Sequence, residues 1–97
     1  RSYAPLVNKI TAVTGPSPCV QGLALGNAQV AALMFHGKMN LRLAGPADPH
    51  CPWLMLDSTQ MATHADQLRA WGWQEITRLR RPTDNNETLV IFAPRKS

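Results

Sequence analysis

The stretch 52–94 constrains this chain most, because it reads as a strand, a helix and two further strands in unbroken succession. Trp53, Leu54, Met55, Leu56 and Asp57 form a short apolar run of strand length, and Ser58 and Thr59 after it favour turns and helix starts. A helical pattern continues to Gly72. Residues 73–80 then read as a strand, and 88–92 (TLVIF) as a second, strongly apolar one. Residues 81–87 (RPTDNNE) carry the polar, Pro- and Asn-rich chemistry of a long hairpin loop. The upstream half is expected to complete the same sheet. Read from its residues alone, the sequence describes a small soluble α/β domain without a visible active site.

Upstream, Leu6, Val7, Ile10 and Val13 recur at the three- and four-residue spacing of one helix face, so residues 2–14 are predicted helical, with Pro5 in the first turn. Gly15, Pro16, Ser17 and Pro18 stop that helix. Residues 19–25 form a nearly all-apolar run that suits a strand covered on both faces. Gly26 and Asn27 signal a helix start, 28–35 a helix, and Gly37 its end. Residues 39–43 are predicted as the second strand, and 45–52, with three prolines, as an exposed loop. Thr63 and Asp66 match a capping box, which places the next regular helix at 64–71 behind an irregular or 3₁₀ lead-in at 58–62. Residues 95–97 are expected to fray.

Right-handed crossovers put the second and third strands on opposite sides of the first. A further crossover adds the fourth beside the third, and the hairpin adds an antiparallel fifth at the edge. The predicted fold is therefore a small three-layer, Rossmann-like, mostly parallel sheet of order 2-1-3-4-5 with two to three helices, in one domain over residues 1–97.

Ninety-seven residues support one core of marginal size. No apolar run approaches the length of a membrane span, and residues 1–5 (RSYAP) lack the apolar stretch by which a signal peptide would be recognised. The chain starts with Arg1 and is expected to be an excised piece of a larger protein. A net charge of +4 invites a nucleic-acid or anionic-membrane partner. No RNA-binding aromatic pattern, zinc-finger spacing or basic helix accompanies it, so nucleic acid is not expected.

Gly22 and Gly26 flank a strand-to-helix turn, but their spacing departs from the dinucleotide fingerprint, and a simple helix cap is the better reading of Gly26 and Asn27. Asp57 ends a central strand, where α/β folds place ligands, although capping of the next turn is favoured for it. Arg78, Arg80 and Arg81, near Asp84 and Glu87, read equally as an ion-paired hairpin or as an anion or acceptor contact. His36, His50, His64, Cys19 and Cys51 lack metal-ligand spacing, so neither a metal nor a cofactor is expected. A nucleophilic pairing of Cys51 with His50 lacks an orienting acid. Trp53, Trp71 and Trp73 are expected in the core and at its rim. Cys19 and Cys51 open strands that the predicted topology makes neighbours, which permits a disulfide wherever the compartment is oxidising.

Several features together resemble the soluble tail domain of bacterial GT-C membrane glycosyltransferases, relatives of the dolichyl-phosphate-mannose–protein mannosyltransferases and aminoarabinose transferases. They are Arg1, Ser2 and Tyr3 opening the first helix, the Cys19 strand, and Cys51-Pro52 before an apolar strand ending in Asp57. Trp73 after the helix, and Arg80, Arg81, Pro82, Asp84 and Glu87 before the last strand, complete the set. The resemblance implies a noncatalytic domain on the periplasmic side of the inner membrane, with residues 1–14 following a transmembrane segment. The parent would move a sugar from a polyprenyl-phosphate donor to a lipid or protein acceptor. Its catalytic acids would lie in membrane-domain loops, so no catalytic position carries over. The implied partners are the parent's own membrane domain and anionic lipid or the polyprenyl-phosphate sugar. The alternative is a free-standing anion- or nucleotide-binding module built on Gly26, Asn27 and Asp57.

Overall fold

The structure is a computed structural model that describes residues 4–15, 19–36, 40–43, 51–80 and 88–94. Helix α1 (Ala4–Thr14) leads to strand β1 (Val20–Leu23), helix α2 (Asn27–Ala31) with a π-helical continuation (Ala32–His36), and the short strand β2 (Leu41–Arg42). Strand β3 (Trp53–Asp57), a 3₁₀ turn (Ser58–Gln60) and helix α3 (Met61–Ala70) follow. Strands β4 (Trp73–Arg80) and β5 (Thr88–Pro94) close the chain.

The five strands form one mixed sheet in the order β2-β1-β3-β5-β4. Strand β1 pairs parallel with β2 and β3, as the crossover rule required. The other half departs from expectation. Strand β5 lies beside β3 and antiparallel to it, while β4 takes the edge. The sheet is therefore not mostly parallel, and the order is not 2-1-3-4-5. Because β5 runs against both neighbours, β3 and β4 point the same way with β5 inserted between them, a split β-α-β unit bridged by α3.

Burial explains the inversion. Leu89, Val90 and Ile91 are fully buried in succession, as are Leu54, Met55 and Leu56, so β5 and β3 need cover on both faces and occupy the interior of the sheet. Strand β4 exposes Gln74, Glu75, Arg78 and Arg80 and tolerates an edge.

The helices divide between the two faces. Leu6 and Ile10 of α1 and Leu33 after α2 join Val20, Leu41, Met55, Leu89 and Ile91 in one core cluster. Leu68 of α3 joins Leu54, Leu56, Trp73, Val90 and Phe92 in the other. Three layers result. Gly22 sits where β1 meets its neighbours: a Cβ there would come within 2.8 Å of Leu25 Cδ1 and 3.2 Å of Leu41 Cδ1.

Helix α3 begins at Met61, earlier than the capping-box position of Thr63 had placed it. Asp57 is the reason, since its carboxylate accepts the Thr59 N–H and starts the 3₁₀ turn directly after the strand. The 3₁₀ lead-in itself is present over Ser58–Gln60. At the other end Trp71 N–H donates to the carbonyls of Gln67 and Leu68, and Gly72 takes φ +87°, a left-handed conformation that stops the helix. Trp73 is buried, whereas Trp71 is 47% exposed and belongs to neither core cluster.

Candidate functional site

Adjacent parallel strands whose following helices leave toward opposite faces open a crevice at their carboxyl ends, and open α/β sheets place ligands there. In this sheet β1 and β3 are that pair: α2 covers one face and α3 the other. Beyond β1 the chain passes through Ala24, whose φ of +53° is left-handed for a residue with a Cβ, and reaches Gly26 in extended conformation before α2. Beyond β3 stands Asp57.

Gln29, buried at 7% exposure, joins the two ends. Its Oε1 accepts the Gly26 backbone N–H at 2.8 Å, and its Nε2 donates to Asp57 Oδ2 at 2.9 Å. The second oxygen of Asp57 accepts both the backbone N–H and the hydroxyl of Thr59, at 3.0 and 2.9 Å. Gly26 and Asp57, singled out in the sequence at 31 positions' separation, thus share one polar network, and Asn27 stays exposed outside it. Gln29 went unremarked in the sequence. Its signal was its place as the third helical residue after Gly26, where a glutamine can reach back to the cap N–H.

Chemically this is a brace. Both Asp57 oxygens hold donors, and the Gly26 N–H that an anion would use is held by Gln29. A nucleotide or phosphate in this crevice would have to displace those bonds.

The arginines form a second cluster. Arg78 donates from Nε to Glu75 Oε2 at 2.8 Å and from Nη2 to Glu75 Oε1 at 3.2 Å. The hydrogen bond from Arg78, with its charge, holds the Glu75 carboxyl below its usual range despite some opposing desolvation, and raises the guanidinium in turn. Arg80 has an exposed side chain, and its carbonyl accepts from Lys9 Nζ at 3.4 Å, tying α1 to β4. Arg81, Asp84 and Glu87 lie outside the described residues. Arg78 is ion-paired, then, with a residue of its own strand.

Between α3 and β4 runs an open groove of about 550 Å³, lined by Met61, Ala65, Arg69, Trp73, Glu75 and Phe92 among others. Its rim cation, Arg69, is paired with Asp66 at 2.9 Å on the exposed side of α3.

Cys19 and Cys51 are joined in a disulfide with their Cα atoms 5.3 Å apart. Each lies just ahead of one strand of the β1–β3 pair, as the predicted adjacency allowed. A bonded Cys51 offers no thiolate, which removes it as a nucleophile beside His50, a residue outside the described set. Among the described residues no group of three or more His, Cys, Asp or Glu side chains is arranged to hold a metal ion. No helix there is long and apolar enough to cross a membrane.

No protein-family model matches the chain, and neither curated proteins nor solved structures give a match.

Proposed function

We propose that this chain is a noncatalytic domain on the periplasmic side of the bacterial inner membrane, belonging to an integral-membrane glycosyltransferase that moves a sugar from a polyprenyl-phosphate donor to a lipid or protein acceptor. The observation that carries the reading is the Cys19–Cys51 disulfide, buried at the foot of the β1–β3 pair. Such bonds persist outside the reducing cytosol, and the resemblance in sequence points to the same compartment.

The residues that carry the resemblance also have scaffold roles where they are described. Cys19 and Cys51 staple two strands, Trp73 fills the core beneath α3, and Asp57 braces two connections. That agrees with a supporting domain whose parent keeps its catalytic groups elsewhere. The implied partners are the parent's membrane domain and an anionic headgroup or phosphorylated donor, for which the exposed Arg80 side chain is a fitting contact.

Two measurements test the reading. Protease added to spheroplasts should remove this domain from the intact parent, and protection until lysis would refute the location. The isolated chain should show no sugar transfer from polyprenyl-phosphate donors, whereas turnover by the chain alone would refute the noncatalytic role.

A further inference from the structure

We propose that β4 is a self-association edge, along which two copies of this chain pair antiparallel about a two-fold axis between Ile76 and Thr77 to form one continuous sheet. The proposal is independent of the function proposed above and rests on the pattern of β4 alone.

Strand β4 runs eight residues and, among the described residues, has a strand neighbour only on the β5 side. Among the described residues no strand covers its other side, where an added strand could pair, and Lys9 Nζ reaches only the carbonyl of its last residue, Arg80. Its register against β5 sets Trp73, Glu75, Arg78 and Arg80 opposite Pro94, Phe92, Val90 and Thr88. Val90 and Phe92 belong to the cluster under α3, so those four β4 residues share the α3 face. Gln74, Thr77 and Leu79, opposite Ala93, Ile91 and Leu89, share the α1 face. Ile76 has no partner, because the ladder shifts register between Glu75 and Thr77.

That bulge gives β4 a property a regular strand lacks. In a regular strand, reversal about the midpoint between two neighbouring residues exchanges the faces, since successive side chains alternate. With Ile76 inserted, the same reversal maps Trp73 onto Arg80 and Glu75 onto Arg78, α3 face onto α3 face, and Gln74 onto Leu79 on the other. An antiparallel pair of copies therefore keeps both α3 helices on one side of the joined sheet. It places Glu75 of each copy opposite Arg78 of the second copy, and Trp73 opposite Arg80.

Charges usually blunt an edge strand because self-pairing sets like against like. Here the signs complement under the two-fold operation, and the two intrachain Glu75–Arg78 pairs merge into one four-membered cluster. Ile76, a large apolar side chain left 48% exposed at the centre of the strand, lies beside the axis and is covered by the pairing. The interface is isologous, so it closes at two copies.

Sedimentation equilibrium of the 97-residue chain from micromolar to millimolar concentration tests this. A monomer–dimer equilibrium is expected, with β4 amides gaining hydrogen-exchange protection as the dimer forms. Glu75→Arg sets like charges opposite each other and should raise the dissociation constant roughly tenfold or more. The charge swap Glu75→Arg with Arg78→Glu keeps the complementarity and should restore dimerisation. Ile76→Lys, at an exposed position, should also abolish it, with circular dichroism confirming each fold. A chain that stays monomeric, a dimer indifferent to Glu75→Arg, failure of the swap to restore it, or protection at another surface would overturn the proposal.

Discussion

Arg78 clasps Glu75 through two hydrogen bonds, although residues three apart on a regular strand point to opposite faces. The bulge at Ile76 supplies the missing half-step and turns both side chains toward α3. One inserted residue thus decides which charges on the β4 edge can meet.

The pair has a pH signature. Glu75 has a lowered folded-state pKa, so the pair contributes stability above the ordinary glutamate range, and that contribution is lost as pH falls through the lowered value. Both side chains are well exposed, so after solvent screening the effect is at most about 0.5 kcal/mol. Carbon-detected NMR titration of Glu75 in the native chain and in Arg78→Gln checks it. The native carboxyl should titrate lower, and equal midpoints would show that Arg78 is not the cause.

Reducing the Cys19–Cys51 bond, or replacing both residues with serine, should cost roughly 3.5–4 kcal/mol by the loop-entropy relation for a loop of this length. The bonded residues are 32 apart. Urea unfolding with and without reductant measures the difference. A domain of this size holds only a small margin, so extensive unfolding of the reduced form at body temperature is the expected outcome.

Gln29→Ala removes both bonds of the brace and leaves the Gly26 N–H and Asp57 Oδ2 without that partner. A loss of about 1–3 kcal/mol is expected. Amide exchange should quicken at Gly26 and at the start of α3 more than at Val90, in the interior of β5. Uniform quickening throughout would show that the brace is not local.

Two backbone positions should respond with opposite sign. Gly72→Ala puts a Cβ on a residue at φ +87° and should destabilise by about 1 kcal/mol. Ala24→Gly relieves the same kind of strain at φ +53°, so the mutant should be no less stable and gain up to about 1 kcal/mol. Thermal melts of the two variants decide it, and a marked loss for Ala24→Gly would show that the Ala24 methyl has a packing role.

Much of the fold was legible because it follows from local chemistry. The helix face of Leu6, Ile10 and Val13, the stop at Gly72 and the strand at Trp53–Asp57 each depend on periodicity or backbone freedom within a few residues. The adjacency of Cys19 and Cys51 was legible one level up, because the crossover rule made their strands neighbours, and the structure adds the bond between them. Of the candidate site, Gly26 and Asp57 were visible as ends of elements, while the glutamine that joins them was not.

Sequence by itself determined roughly where the helices and strands lie, that they build layers on a sheet, and which two neighbouring strands start beside a cysteine. Tertiary structure decided that β5 enters between β3 and β4, that Gln29 closes onto Asp57 across 28 positions, and that Ile76 bulges out of the ladder. The division is physical. Backbone geometry imposes its periods residue by residue, whereas strand order is settled by competition for burial across the whole sheet, which β5 wins by being apolar on both faces.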